Sequence, residues 1–144
     1  MKTNEMRRRE QSARGSFNPH RADGPMPHYS AGRNLYPQRY VIGWEDGIVK
    51  VGETWHGRRR WGAFLNRGGT MLDLAYYEYL GDALDGEIWL QSQLHKAYPM
   101  AFDDKSEAIP YMGPSGGGYL ECFKIPPDEW PEIIELARTV DALV

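Results

Sequence analysis

Two short apolar runs around an Asp-Gly turn, RYVIGWEDGIVKVGE at residues 39–53, constrain the fold of this chain most strongly. Asp-Gly between apolar runs is a strong short-range signal for a β-hairpin. The hairpin places Tyr40 and Lys50 on neighbouring strands, where their side chains can face each other. The next segment, HGRRRWGAFL at 56–65, predicts a short helix that carries Arg60. A phenol, an ammonium and a guanidinium that converge in this way are suited to binding a phosphate.

The remaining sequence predicts an α/β domain over residues 39–144, with a small mixed sheet of three to four strands flanked by helices. Apolar alternation predicts further strands at 71–80 and 119–125. Helical spacing predicts a long helix over 83–98 and a C-terminal helix that two prolines introduce. The stretch 99–118 holds three prolines and four glycines, which predicts an irregular excursion.

Residues 1–38 predict a flexible basic arm, because they are rich in Arg, Pro, Gly and Ser and show little apolar periodicity. Residues 1–39 hold eight Lys/Arg against three Asp/Glu, whereas residues 40–144 hold nine against seventeen. Nucleic-acid affinity comes from the neutralisation of phosphates. The arm is therefore a candidate contact with DNA or with a protein partner, and a solubilising tail is the alternative. The acidic remainder argues against a large flat DNA-binding face.

Composition argues against several other classes of protein. No run of eighteen apolar residues exists, so we expect no membrane span. No apolar stretch follows the N-terminal arginines, so we expect no secretory signal. The single cysteine, Cys122, excludes an internal disulfide and favours a reducing cytoplasm. We expect its thiol to be buried and structural.

These motifs resemble the GIY-YIG nuclease superfamily, whose signature is a Gly-Ile-Tyr strand, a Tyr-Ile-Gly strand and then a helix that bears an arginine. Tyr40 matches the first tyrosine and is followed by one residue and an isoleucine. The triplet Lys-Val-Gly at 50–52 resembles a branch whose second motif reads Lys-Ile-Gly. Arg60 matches the helix arginine in its spacing from Gly52 and in the tryptophan that follows it. The resemblance covers about residues 39–125 and implies the fold of that superfamily.

The resemblance also implies a role for each of these residues. Tyr40 would orient or deprotonate the attacking water, since a phenol beside a metal and a cation loses its proton more readily. Lys50 would hydrogen-bond the water or compensate the phenolate, and Arg60 would grip the scissile phosphate. The alternatives are a packed aromatic ring, an exposed edge lysine and a solvated basic turn. Arg58, Arg59 and Arg67 are candidate nucleic-acid contacts.

In the superfamily a glutamate of the long helix holds a divalent metal, here Mg²⁺ or another such cation, and Glu87 is the candidate ligand. It is the only acid between positions 86 and 98. The Lys-Ile-Gly branch, however, commonly reads Glu-x-x-Leu-His, and Leu94 and His95 fit that ending, which puts Gln91 where the acid belongs. Glu87 and Gln91 are one turn apart and lie on nearly one face. Either Glu87 reaches the metal from the adjacent turn, or the acid is lost and Glu87 is an ordinary solvated residue.

Two further residues are candidates for supporting roles. His95 would be a proton shuttle or a phosphate contact, with a partly buried structural histidine as the alternative. Glu121 stands in a late Gly-x-x-Glu pattern and would brace the site rather than bind the metal.

The resemblance thus implies a metal-dependent endonuclease that hydrolyses phosphodiester bonds in DNA, of the phage or mobile-element type. It would act in the cytoplasm, which is the host's if the gene is phage-borne. The alternative is a GIY-YIG-derived module that has lost cleavage and binds nucleic acid or protein.

Overall fold

A central antiparallel sheet organises the computed structural model, which describes residues 20–21, 37–54, 58–77 and 79–139. Within these residues the strands run in the spatial order β1-β4-β2-β3-β5. The strands are β1 (His20–Arg21), β2 (Gln38–Trp44), β3 (Ile48–Thr54), β4 (Thr70–Tyr76) and β5 (Cys122–Lys124). The α/β class is confirmed. Strands β2 to β5 are the three to four strands expected of the domain, and the two-residue β1 is an additional strand from the N-terminal segment.

The strand directions differ from the expectation of a mixed sheet, which is wrong for the described part of the chain. Every strand pairing there is antiparallel. The turn at 45–47 joins β2 and β3 as predicted, with Gly47 N donating to Trp44 O over 3.0 Å. The next helix carries the chain across to the far side of β2. As a result, β4 runs parallel to β3 but pairs only with its antiparallel neighbours, β2 and β1.

Four α-helices flank this sheet among the described residues. They are α1 (Arg58–Leu65), α2 (Leu80–Ala97), α3 (Lys105–Met112) and α4 (Trp130–Thr139), and short 3-10 turns form at Tyr119–Glu121 and Pro127–Glu129. The predicted Arg60 helix and the C-terminal helix are confirmed. The predicted strand at 71–80 stops at Tyr76, because Leu80 and Gly81 are already buried in the first turn of α2. Tertiary packing here outweighs the low helix propensity of glycine.

Helix α3 lies within the stretch that was expected to be irregular. Asp104 caps it by accepting from the backbone N–H groups of Ser106 and Glu107, and the Glu107 side chain accepts from Asp104 N. This capping box stabilises a helix start even though Pro110 lies inside the helix. The predicted strand at 119–125 shortens to β5, because its first three residues form a 3-10 turn.

The two faces of the sheet carry separate hydrophobic clusters. Helices α1 and α3 cover one face and helices α2 and α4 cover the other. The first cluster includes Tyr40, Ile42, Trp44, Phe64, Ala108, Met112 and Cys122, and the second includes Val41, Val49, Val51, Leu90, Leu94, Phe123 and Ile133. The thiol of Cys122 is buried as expected, and burial raises its pKa to about 12.

No helix in the described ranges is long and apolar enough to cross a membrane. Of the predicted basic arm at residues 1–38, the structure describes His20–Arg21, which pair with Tyr76 and Ala75 of β4, and residues 37–38. Gln38 begins β2, so the domain starts slightly before the predicted boundary. The flexibility predicted for the rest of residues 1–36 falls outside the described part.

Candidate active site

Tyr40 lies at the centre of the sheet and points toward α1. Its side chain is buried, and its ring centroid lies 5.9 Å from that of Phe64 on α1. In the hairpin register Tyr40 stands opposite Gly52, and a Cβ at position 52 would overlap the Tyr40 hydroxyl. The glycine of the Lys-Val-Gly triplet is therefore required because the phenol lies across it.

Lys50 is completely buried on the same face of the sheet. Its ammonium donates to Glu121 Oε1 over 2.9 Å. The ammonium also lies 5.6 Å from the ring centroids of both Tyr40 and Phe64. Burial acts to lower the pKa of Lys50, but the Glu121 carboxylate that accepts from the ammonium acts to raise it, and the net effect is a raised pKa. The side chain is thus held as a cation. Its complete burial excludes the alternative of an exposed edge lysine.

Arg60 joins Tyr40 and Lys50 from α1. Its guanidinium carbon lies 5.1 Å from the Phe64 ring centroid, and the residue is exposed to solvent. Its positive charge also acts on the Tyr40 phenol, whose pKa it acts to lower. One face of the guanidinium is therefore anchored on protein while the residue stays accessible to a ligand.

The protonation of Tyr40 differs from the expectation. Burial raises the pKa of its phenol, and the positive charges of Lys50 and Arg60 only partly offset this effect. Tyr40 is therefore held as a neutral phenol, whereas easier loss of its proton was expected. A neutral phenol can still orient a water molecule, because its hydroxyl both donates and accepts.

The edge of β3 brings α2 into the site. Strand β5 pairs only with residues 48–50 of β3, which leaves the next carbonyl, that of Val51, to other partners. Gln91 on α2 donates from Nε2 to Val51 O over 3.0 Å, and its Nε2 also lies 3.4 Å from Glu121 Oε2. Glu121 thus links the lysine on one face of the sheet to the helix that covers the other face.

Glu87 lies one turn before Gln91 on α2 and is partly buried. Burial raises the pKa of its carboxyl to about 8, and the negative charges of Glu121 and Glu53 add to this effect, while Lys50 opposes it. The expected alternative of an ordinary solvated glutamate does not describe this environment. The charges of Lys50 and Glu121 thus act on the Glu87 carboxyl, although the helix that carries Glu87 packs on the opposite face of the sheet from Tyr40.

The resemblance implies a divalent metal ion, and the carboxylates near the site can be tested as its ligands. The described residues contain no group of three or more His, Cys, Asp or Glu side chains placed to hold a metal ion. Magnesium, however, commonly binds through one or two carboxylates and keeps waters and substrate phosphates as its other ligands. Glu87 fits such an ion, because burial and the negative charges of Glu121 and Glu53 disfavour its anion, which a divalent cation would stabilise.

The other candidates lie away from this centre. His95 is exposed on α2, and its ring packs edge-on against Phe123 at 4.8 Å between centroids. Arg59 is exposed and lines a groove on the outer side of α1. The guanidinium of Arg67 lies beside Gly113 at the end of α3. Arg58 begins α1, and its side chain is outside the described part of the structure.

Three residues around the site carried no role in the sequence analysis. Phe64 packs between the cations, and its position one helical turn after Arg60 would have indicated this. Glu53 follows Val49 and Val51 at strand spacing, which places it on the α2 face near Glu87. Gly118 contacts the Lys50–Glu121 pair, and no local signal in the run of glycines indicates that contact.

Comparison with family models, with curated proteins and with solved structures finds no match for this chain. Its relation to the GIY-YIG superfamily therefore rests on the motifs and stays a prediction.

Proposed function

We propose that this domain is a metal-dependent endonuclease of the GIY-YIG type that hydrolyses phosphodiester bonds in DNA. One observation carries the proposal: the buried Lys50 ammonium and the Arg60 guanidinium both act on the buried Tyr40 hydroxyl. Burying a lysine is costly, and the ion pair of Lys50 with Glu121 over 2.9 Å offsets that cost, so the fold keeps a cation beside the buried phenol. A phage or mobile element is the source we propose, with action in the cytoplasm.

In this proposal each side chain has a distinct task. Arg60 binds two oxygens of the scissile phosphate with its planar fork, since it is the exposed cation of the group. Lys50 supplies a fixed positive charge at the phenol. Tyr40 orients the attacking water through its hydroxyl. Mg²⁺ bound at Glu87 would polarise a phosphate oxygen and its own water.

The second candidate function is a binding module that has lost cleavage. Its support is Gln91, which occupies the position where the Lys-Ile-Gly branch carries its acid. The amide of this residue is engaged by Val51 O and Glu121. A neutral amide is a poor sole anchor for magnesium.

We test the proposal first at Arg60. Wild-type protein should nick plasmid DNA with magnesium and not without it, and Arg60→Ala should lower the rate by about 10²–10³-fold, as for loss of one group that stabilises the transition state. Arg59→Ala, the matched neighbour, should weaken binding in a salt-dependent way with a much smaller loss of rate. Equal losses in the two variants would contradict the assignment of Arg60.

A second pair of variants separates the two functions. Glu87→Gln should remove both cleavage and magnesium binding measured by calorimetry, whereas Gln91→Ala should remove neither. If the wild-type protein neither cleaves DNA nor binds magnesium, the binding module is the better description.

A further inference from the structure

Two groups of the segment that precedes β5 lie at the Lys50 ammonium. Glu121 accepts from Nζ over 2.9 Å, and its side chain is 33% exposed while that of Lys50 is 0% exposed. The second group is the backbone at Gly118. A Cβ at this position would lie 2.8 Å from Lys50 Nζ and 3.1 Å from Glu121 Oε1. Only a residue without a side chain allows the loop to approach this closely.

The backbone around Gly118 is shaped to make this approach. Gly118 has a φ of 90°, a left-handed conformation that L residues with side chains rarely adopt. Its carbonyl accepts from Glu121 N over 3.0 Å, which closes the 3-10 turn and orients the carboxylate toward the lysine. The turn and the ion pair therefore depend on the same glycine.

The second oxygen of Glu121 extends the arrangement to α2. Gln91 Nε2 lies 3.4 Å from Glu121 Oε2 and donates to Val51 O, one residue after Lys50. The carboxylate is consequently held from two sides. Its position relative to β3 is set by α2 as well as by the loop.

We infer that Glu121 and Gly118 form a socket that positions the Lys50 ammonium against Tyr40, which makes them positioning residues of this site. The contribution to hydrolysis rests on the proposed function, whereas the positioning of Lys50 does not. Other titratable groups act on the same centre: Tyr40 from β2, Cys122 from β5 and Glu87 from α2. Loss of the Glu121 charge would leave Lys50 buried beside a neutral phenol.

The socket can be tested without any cleavage assay. The chain has five lysines, so the side-chain ammonium groups of protein labelled with ¹⁵N-lysine give few NMR signals. The buried Lys50 should give a slowly exchanging ammonium signal that Lys50→Met removes. Glu121→Gln and Gly118→Ala should each shift this signal and raise its exchange rate with water at least about tenfold, since the charge partner or the covering backbone is displaced.

The matched control is Gly117→Ala in the same loop. A Cβ there would meet only Ser115 Oγ, at 3.2 Å, so the Lys50 signal should stay as in the wild-type protein. Backbone amide spectra report whether each variant is folded. If Gly118→Ala does not fold, the inference is judged from the Lys50 ammonium signal of Glu121→Gln. A folded Glu121→Gln variant with an unchanged Lys50 signal would overturn the inference.

A kinetic measurement then tests the contribution to hydrolysis. Glu121→Gln should lower kcat at least about tenfold with little change in KM, and should alter the pH profile of cleavage, whereas Gly117→Ala should change neither. An unchanged kcat and pH profile in Glu121→Gln would overturn the catalytic contribution. If the wild-type protein does not cleave DNA, the proposed function fails, and the socket is still judged on the ammonium signal.

Discussion

At the scale of single residues, burial controls the charges of the candidate site. The positive charge of Lys50 is retained because the Glu121 carboxylate pairs with it, whereas burial keeps Tyr40 neutral. Burial also acts on Glu87, where it disfavours the charged form. Its carboxyl lies among other acids with only partial compensation, so ionisation is disfavoured until a cation is supplied.

The raised pKa of Glu87 predicts a pH-dependent stability without divalent ions. Burial and the neighbouring acids raise it from 4.5 to about 8. Between these values the unfolded chain has released the proton and the folded protein retains it, so the free energy of unfolding should fall as pH rises. Glu87→Gln should remove this fall and be more stable at pH 8 by about 1–3 kcal/mol.

Urea unfolding in EDTA at pH 5 and pH 8 measures the effect. Glu132→Gln, an exposed acid on α4, is the control and should behave as the wild-type protein. If the free energy of unfolding changed by the same amount from pH 5 to pH 8 in Glu87→Gln as in the wild-type protein, the assigned environment of Glu87 would be contradicted.

At the scale of elements, a buried ion pair anchors the C-terminal helix to the sheet. Arg39 on β2 donates from Nη2 to Asp73 Oδ2 over 2.9 Å and from Nη1 to Ala137 O over 3.1 Å. Ala137 is near the end of α4, so this one side chain connects two central strands to the last described helix. The same helix packs Ile133 on the face that α2 also covers.

Removal of Arg39 should therefore destabilise the whole domain. Arg39→Ala leaves the Asp73 carboxylate buried without its close partner, which typically costs about 3–5 kcal/mol. Arg138→Ala is the matched comparison, because Arg138 Nε lies 3.7 Å from Asp73 Oδ1 with a side chain that is 50% exposed. It should cost no more than about 1 kcal/mol. Similar losses of stability in the two variants, measured by chemical unfolding, would contradict this account.

At the scale of the whole molecule, the described domain is nearly complete without the N-terminal segment. Tyr77 N donates to Pro37 O over 2.9 Å, so residue 37 already belongs to the domain. Upstream of it, the described contribution to the sheet is the two-residue β1. Residues 1–36 hold seven Lys/Arg against three Asp/Glu, and residues 37–144 hold ten against seventeen.

Deletion of residues 1–36 should leave a folded domain with weaker nucleic-acid binding. We expect only a small decrease in Tm, because the described part of this segment contributes one short strand pairing, and a shallower dependence of DNA affinity on salt. Circular dichroism and binding titrations at several salt concentrations measure both. A large decrease in Tm would show instead that the segment is an integral part of the fold.

The sequence alone determined the features that depend on local spacing. Period-two alternation and the turn at 45–47 predicted that Tyr40 and Lys50 would lie on adjacent strands, and the helix that follows was predicted to carry Arg60. These features form between neighbours in the chain, so local conformational preferences are sufficient to specify them. The capping box of α3 was also readable in the sequence, but the prolines around it favoured a loop.

Only the tertiary structure decided the partners of these residues and their protonation. Glu121 lies 71 positions after Lys50, and nothing in local periodicity indicates which late loop closes over which strand. The engagement of Gln91 by Val51 O depends on where β5 stops pairing. The pKa values of Tyr40 and Glu87 depend on burial, which arises only when both helical layers pack on the sheet.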